Sequence, residues 1–211
     1  MQSSGMDSKW AADNLQTIRT LMERSAVYRR ALAPIMLSSG VIGIIAAVIP
    51  SFVIIRTNRG FALYWMGVSL IAMVTALLFV RRQALRDKEA FWTSPAKRVT
   101  EALQAPFIAG FCVGAFLAVF DHHLEPAGWI ATGAWSILYG CGLNAAGFFT
   151  PRGVGLFGRI LVLLGCGFLF SWFMAPGDVN SSAHFAMGFV FGVLHLAYGI
   201  YLYFTERKSR L

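Results

Sequence analysis

The chain has 211 residues and a mean hydropathy of +0.62; 57% of its residues are hydrophobic and only 13% are charged. Soluble domains carry about 25% charged residues, so these totals exclude an ordinary soluble fold. The apolar residues form uncharged runs, each as long as a helix that crosses the roughly 30 Å hydrocarbon core of a bilayer. We therefore predict an all-α, polytopic membrane helix bundle of one domain.

The N-terminal segment, residues 1–30, is polar and basic and precedes the first apolar run. Leu15, Ile18, Met22 and Ala26 recur at helical spacing, which predicts an amphipathic helix lying on the cytoplasmic membrane surface. The alternative is a docking helix for a cytosolic protein. Because the segment lacks an apolar core, we expect no cleavable signal peptide.

Six transmembrane helices are predicted within residues 31–204, and a basic cytoplasmic tail covers residues 205–211. Arginine pairs, prolines and polar turns mark the ends of most of these helices. The predicted spans run from about Ala31 to Ile55, Phe61 to Val80, Pro106 to Phe120, Ala127 to Phe149, Val154 to Ala175 and His184 to Phe204.

The charges of the loops predict the orientation of the six spans. Two loops, DHHLEP and APGDVNSSA, contain no lysine or arginine, and only Arg56 and Arg59 add positive charge on their side. The positive-inside rule assigns the other, basic side to the cytoplasm, so both termini are predicted inside a bacterial inner membrane. The predicted cytoplasmic basic residues are Arg24, Arg29, Arg30, Arg81, Arg82, Arg86, Lys88, Lys97, Arg98, Arg152, Arg159, Arg207, Lys208 and Arg210.

The net charge of +8 raises the question of a nucleic-acid partner. The positive residues cluster beside the apolar runs, where attraction to anionic lipid headgroups accounts for them. The chain also contains no recognisable soluble module for nucleic acid. We expect a lipid bilayer with anionic headgroups as the partner of this face and no nucleic acid.

Glycines recur at helical spacing in the second half of the chain. Gly133, Gly140 and Gly147 are seven residues apart in the fourth span, and Gly188 and Gly192 form a small-xxx-small motif in the sixth. Such stripes let helix backbones approach closely, which is how membrane helices associate. They predict tight packing within the bundle, and the alternative is a homodimer seam at Gly188 and Gly192.

Two histidines, His184 and His195, lie in the apolar stretch HFAMGFVFGVLH. Eleven residues of α-helix return nearly to the same face but separate the two rings by roughly 16 Å along the axis, so one haem cannot use both. We expect no cofactor.

His195 falls near the membrane midplane, where a functional role is the default hypothesis. It is interpreted either as a hydrogen-bonded structural histidine or as part of a polar path for a proton or small solute. Tyr198, Tyr139 and Asn144 are the other candidate residues of that path.

A second polar group is predicted at the outer ends of the spans. His122, His123, Asp121 and His184 are weak candidates for a metal site, with Glu125 and Asp178 nearby. Histidine and carboxylate ligands suit zinc, copper or another divalent ion. The alternative is a set of solvated loop residues, because helix ends collect polar side chains without any ligand.

Motifs of common catalytic sites are missing from the sequence. It has no Gly-x-Ser-x-Gly, no His-Glu-x-x-His, no phosphate-binding glycine loop with a lysine, and no pair of acidic residues within a span. We therefore predict that the protein is not an enzyme.

Several segments carry a family resemblance: LMERSAVYRRALAPIM, GFALYWMGVSL, FVRRQALRDKEAFW, GFFTPRG and HLAYGIYLYFTE. They resemble an uncharacterised family of bacterial six-span inner-membrane proteins, often encoded beside a winged-helix transcriptional regulator. The resemblance covers most of the chain and implies a membrane component of a small regulatory or stress-response unit. It assigns no catalytic or binding residue.

The sequence thus favours a non-catalytic integral membrane protein whose basic cytoplasmic face contacts lipid and a cytosolic protein. A small-solute or proton-linked transporter or channel is the alternative. A metal- or cofactor-binding membrane protein that uses the outer residues is the third hypothesis.

Overall fold

The computed structural model describes residues 14, 31–53, 55, 57–88, 92, 94–120, 127–150, 152–174 and 180–208. All regular structure within these ranges is helical. Helix α1 covers residues 31–48 and continues into a 3₁₀ turn at Ile49–Ser51. The next four helices are α2 (Asn58–Arg86), α3 (Ser94–Val119), α4 (Ala127–Ala146) and α5 (Arg152–Met174).

The last helix has three parts that follow one another without a break. Helix α6 (Asn180–Met187) leads into a π-helical segment (Gly188–Val193), and α7 (Leu194–Lys208) follows. The Leu194 N–H donates to the carbonyl of Phe189, five residues back, which is the hydrogen bond of a π-helix. The spacing of residues in the sequence predicts regular α-helix over this whole stretch, so the π-helical segment is a difference from the prediction.

Local sequence explains where α2 begins. The Thr57 side chain caps α2 by accepting a hydrogen bond from the Gly60 N–H at 3.0 Å.

Helix α3 begins earlier than the sequence predicts. The prediction that the third span begins near Pro106 is wrong by about three turns, because α3 begins at Ser94 and contains Pro106. The proline ring is accommodated against Gly142 of α4, where a Cβ would lie 3.1 Å from the ring.

Within the described residues, five helices are long and apolar enough to cross a membrane, which is the pattern of a multi-pass membrane protein. Helix α4 is not among the five, although it has 20 residues and no charged side chain. Its four glycines and its Thr132, Ser136 and Asn144 reduce its hydropathy. It packs between α3 and α5 along much of its length, so it needs less apolar surface of its own. The five spans are Ala31–Ser51, Asn58–Arg86, Ala96–Val119, Gly153–Met174 and Ser182–Thr205.

Two hydrophobic clusters mark the two ends of the bundle. The first, here the Trp65 end, joins the last turns of α1 and α3 to the first turns of α2, α4 and α6. Its buried residues are Ala46, Ala47, Phe61, Ala62, Trp65, Leu117, Ala131, Ala183 and Met187. The second, here the Leu202 end, joins the first turns of α1 and α5 to the last turns of α4 and α7. Its buried residues include Leu32, Ala33, Met36, Leu143, Val154, Phe157 and Leu202.

The two clusters define an up-and-down bundle. Because α4 contributes Ala131 to the Trp65 end and Leu143 to the Leu202 end, it runs between the same two ends as its neighbours. The start of α1 and the end of α7 both lie at the Leu202 end. The predicted N-terminal helix of residues 1–30 lies outside the described residues apart from Asn14.

Glycines bring α4 and α5 into close contact. A Cβ added at Gly140 would lie 2.6 Å from the Gly158 carbonyl oxygen, and one at Gly147 would lie 2.6 Å from the Gly155 Cα. Since neither distance leaves room for a methyl group, the two backbones touch at these positions.

Helix α1 packs against Gly188 and Gly192, the two glycines of the small-xxx-small motif. A Cβ at Gly188 would collide with the side chain of Ala47, and one at Gly192 would lie 2.8 Å from the backbone nitrogen of Ile44. The predicted tight packing within the bundle is therefore confirmed at these two glycines, and the alternative of a homodimer seam there is wrong, because a helix of the same chain occupies their surface. Sequence spacing alone cannot distinguish the two kinds of neighbour.

Candidate functional site

His195 lies inside the bundle, in the middle of the last span. It is 2% exposed, 13 residues after Ser182 and 10 before Thr205, the two ends of that span (195 − 182 and 205 − 195). Three aromatic rings surround the imidazole: Tyr139 at 5.5 Å, Phe157 at 5.0 Å and Phe191 at 5.9 Å between centroids. The site thus joins the last helix to α4 and α5.

Both nitrogens of His195 have hydrogen-bond partners, and these partners assign the tautomer. The Nδ1 atom lies 3.0 Å from the Val190 carbonyl oxygen, which only accepts, so Nδ1 carries the proton. The Nε2 atom therefore accepts from the Tyr139 hydroxyl, 3.3 Å away. A neutral imidazole satisfies both contacts, which keeps a buried polar group inexpensive inside an apolar bundle.

The π-helical segment directly precedes His195. A π turn holds more residues than an α turn, so it rotates all later side chains by roughly 100° relative to an unbroken α-helix. The rotation directs His195 toward α4 and α5, whereas His184, before the segment, packs on α2. The prediction that the two histidines share one helix face is wrong because it assumed 3.6 residues per turn throughout.

Tyr198 lies one turn after His195 but does not extend its hydrogen bonds. Its ring stacks on Phe157 at 4.7 Å, and its hydroxyl points to Gly153, where a Cβ would lie 2.9 Å away. The Tyr198 hydroxyl is buried and forms no hydrogen bond with the described residues. Among the predicted path residues, only Tyr139 bonds to His195 in the described contacts.

Asn144 occupies a different surface from the one predicted. Its side chain is exposed, and its Oδ1 lies 3.8 Å from the position of a Cβ on Gly155. Gly153, which faces Tyr198, and Gly155, which faces Asn144, are two residues apart on α5 and therefore point in nearly opposite directions. Asn144 thus belongs to the outer surface of the α4–α5 pair.

His184 is as buried as His195 but has a different set of contacts. It is 2% exposed, and its Nδ1 accepts from the indole N–H of Trp65 at 3.0 Å. Its ring packs against Phe61 at 4.8 Å and Tyr64 at 5.9 Å. The Ile55 backbone interacts with this ring, yet Nε2 makes no hydrogen bond of ordinary geometry within the described residues.

The Trp65 contact weighs against His184 as a metal ligand. An indole N–H only donates, so Nδ1 of His184 is deprotonated and a neutral ring carries its proton on Nε2. Neither nitrogen then offers a free lone pair. Within the described ranges, no three His, Cys, Asp or Glu residues converge on one point. The other predicted ligands, His122, His123, Asp121, Glu125 and Asp178, lie outside the described residues, so the outer metal site stays a prediction.

Arg159 is predicted from the sequence only as one of the cytoplasmic basic residues. The structure places this arginine six residues into the span Gly153–Met174 (159 − 153), with its side chain exposed. Its neighbours on the same face are exposed leucine and isoleucine residues. The sequence did contain a signal, since GLFGRILVLLG places a single charge among apolar residues.

Comparisons of the chain with protein-family models, curated proteins and solved structures find no match. Fold and site together define a class: a helical, multi-pass membrane bundle with an enclosed histidine–tyrosine pair. The resemblance to the six-span bacterial family remains a prediction.

Proposed function

We propose that the protein is a non-catalytic, six-span protein of the bacterial inner membrane that binds a cytosolic protein in a regulatory role. Both termini lie in the cytoplasm, and the binding surface is the basic face at the Leu202 end. The observation that carries this proposal is the distribution of exposed positive charge. The helix ends and turns at the Leu202 end present Arg81, Arg82, Arg86, Lys88, Lys97 and Arg98. At the Trp65 end, Arg59 is the one exposed basic residue in the described ranges.

The sixth span in this proposal is α4. A 20-residue helix is about 30 Å long, which matches the hydrocarbon core. Its two ends pack in the two opposite end clusters, and it carries no charged residue. With α4 included, the number of spans is even, which supports both termini on one side.

Exposed apolar side chains accompany the charges of the basic face. Leu85 is 71% exposed, Trp92 59% and Phe148 85%. The Arg98 guanidinium lies over the Phe149 ring at 5.5 Å, and Lys97 pairs with Glu101 at 3.9 Å. Aromatic residues mixed with cations are typical of the headgroup region and of docking surfaces for acidic partners.

Cysteine labelling tests the orientation. In a variant whose three native cysteines are replaced by alanine, one new cysteine is placed at Arg82 or at Thr57. We expect a membrane-impermeant maleimide to label the Thr57 position in intact spheroplasts and the Arg82 position only after lysis. Labelling of Arg82→Cys in intact spheroplasts would reverse the proposed orientation.

Charge reversal tests the partner. We expect a cytosolic protein to cross-link to the wild type in membranes and to be lost in the double variant R81E/R82E. The matched control is R59E, which reverses one exposed charge at the opposite end and should retain the partner. Equal recovery from all three proteins would contradict binding at the basic face.

A second candidate, transport of a proton or small solute, is favoured by one observation. The His195–Tyr139 hydrogen bond lies inside the bundle beside a π-helical segment, a feature frequent at functional sites. The exposed Asn144 weighs against a continuous path. In proteoliposomes, transport predicts proton flux that is lost in His195→Phe, whereas the first proposal predicts no flux in either protein.

A further inference from the structure

An arginine lies on the exposed apolar surface of the bundle at the depth of a membrane span. On α5, Leu156 is 54% exposed, Ile160 41% and Leu163 73%, and Arg159 lies in the same stripe at i, i+3, i+4 and i+7 spacing. This stripe faces lipid if α5 crosses the membrane. A charge placed there costs up to about 3 kcal/mol at the membrane centre unless it reaches a polar partner.

The Arg159 side chain is directed toward the Leu202 end. Its Nε donates to the carbonyl of Gly155, one turn back, at 3.4 Å. Six residues of helix correspond to about 9 Å of depth, and an arginine side chain can cover most of that distance by extending toward the headgroups. The guanidinium has five donors, of which the described contacts use only this one.

A second polar side chain lies at the same depth. Asn144 of α4 is exposed, and its Oδ1 adjoins Gly155, the residue whose carbonyl Arg159 contacts. Helices α4 and α5 touch here through Gly147 and Gly155. The Asn144 amide and the Arg159 guanidinium therefore both adjoin Gly155, so that one ligand can approach both groups.

We propose that Arg159 and Asn144 bind the phosphate of an anionic phospholipid whose acyl chains lie along Leu156, Ile160 and Leu163. Charge complementarity favours this ligand, because a guanidinium binds phosphate through two parallel hydrogen bonds and an amide N–H₂ adds a third donor. Continuity with the apolar stripe favours a lipid over a soluble anion. A second copy of the chain is the competing occupant, and the oligomeric state of the variants distinguishes it from a lipid.

The experiment measures lipid retention in purified protein. Native mass spectrometry of the wild type in detergent with added phosphatidylglycerol should show one lipid that survives activation, and phosphatidylcholine should be retained less. Loss of a charge-assisted pair should weaken retention about tenfold or more in Arg159→Gln. Arg159→Lys, which keeps the charge without the planar fork, should fall between the two.

The matched control is Arg59→Gln, which removes an exposed charge at the opposite, Trp65 end and should retain the lipid like the wild type. Asn144→Ala provides a second test that does not alter the charge of the span, with an expected loss of severalfold. Inorganic phosphate at millimolar concentration should not displace the lipid, since the acyl chains contribute to binding.

Equal retention by wild type and Arg159→Gln would overturn the proposal. So would a shift from dimer to monomer in Arg159→Gln in lipid-free detergent, because a second copy would then be the partner. The inference rests on the proposed function only for the choice of the cytoplasmic leaflet. Binding in detergent does not depend on orientation, so a reversed topology in the labelling experiment and a failed lipid site are separate results.

Discussion

His184 and His195 are equally buried in the same helix, yet they differ in their hydrogen-bond partners and in the nitrogen that carries the proton. At the Trp65 end, a donor-only indole fixes the proton of His184 on Nε2, which lacks a well-formed hydrogen bond. In the centre, a carbonyl fixes the proton of His195 on Nδ1, and a hydroxyl satisfies Nε2. The neighbours, rather than the depth of burial, therefore decide which nitrogen carries the proton.

The difference originates in the π-helical segment between the two residues. Without it, α-helical periodicity would place His195 on nearly the same face of the helix as His184. With it, the imidazole bonds back to Val190 and across to Tyr139, so one extra residue in a turn creates an interhelical hydrogen bond. Three sets of variants test this difference between the two histidines: the first removes the π-helical segment, the second replaces one histidine at a time, and the third removes the His195–Tyr139 hydrogen bond.

Deleting Val193 should have the largest effect. The deletion converts the π turn into an α turn and rotates α7 by roughly 100°, which removes both His195 contacts and the close approach of Gly199 to Leu37. We expect a loss of about 3–5 kcal/mol in the free energy of unfolding. The control is Val193→Ala, at a half-exposed site, and the measurement is reversible unfolding in mixed micelles. A deletion as stable as the control would show that the rotation is unimportant.

Replacing each histidine by leucine should test the contacts assigned to each ring. His195→Leu removes two hydrogen bonds, for an expected cost of about 1–3 kcal/mol. His184→Leu removes one hydrogen bond and leaves the buried Trp65 indole N–H without this acceptor, for an expected cost of about 1–2 kcal/mol. The same unfolding measurement applies, and a cost near zero at either position would contradict the hydrogen bonds assigned to that histidine.

A double-mutant cycle isolates the His195–Tyr139 hydrogen bond. Tyr139→Phe removes the donor while keeping the ring that stacks on the imidazole. Combined with His195→Leu, it should give a coupling energy of about 0.6 kcal/mol, the average for interhelical hydrogen bonds in membrane proteins, and no more than about 1.7 kcal/mol. A coupling energy of zero would mean that the 3.3 Å contact is not a stabilising hydrogen bond.

Much of the fold was predictable because hydropathy and helix length depend on composition alone. The five spans follow from apolar runs, and the glycine spacing in α4 predicts its contact with α5. The start of α3 was not predictable in the same way, since Pro106 resembles a helix start until Gly142 is known to make room for it. The helix that packs against Gly188 and Gly192 was also not predictable, because any closely packed helix, of the same chain or of a second copy, satisfies the same glycine spacing.

For the candidate site, the sequence predicts the depth of each residue in the membrane but not the direction in which its side chain points. Counting residues places Tyr139 level with His195, and the two do form a hydrogen bond. Counting also places Asn144 near that level, but only the packing of Gly155 shows that its side chain faces outward. The π-helical segment has no clear sequence signature. Because it rotates all later side chains of the last helix, α-helical periodicity could not predict which way the residues after Val193 face.

The smallest perturbation tests the comparison most directly, because it changes no residue. In the wild-type protein labelled with ¹⁵N-histidine, NMR should find opposite neutral tautomers for the two buried residues. His195 should carry its proton on Nδ1, because the Val190 carbonyl can only accept, and His184 on Nε2, because the Trp65 N–H can only donate. Assignment comes from the spectra of His184→Leu and His195→Leu, each of which loses one pair of signals. Trp65→Phe should release His184 to mix tautomers while the His195 signals stay unchanged. Identical tautomers in the wild type would mean that at least one of the two hydrogen bonds is absent, and with it the difference between the two histidine environments.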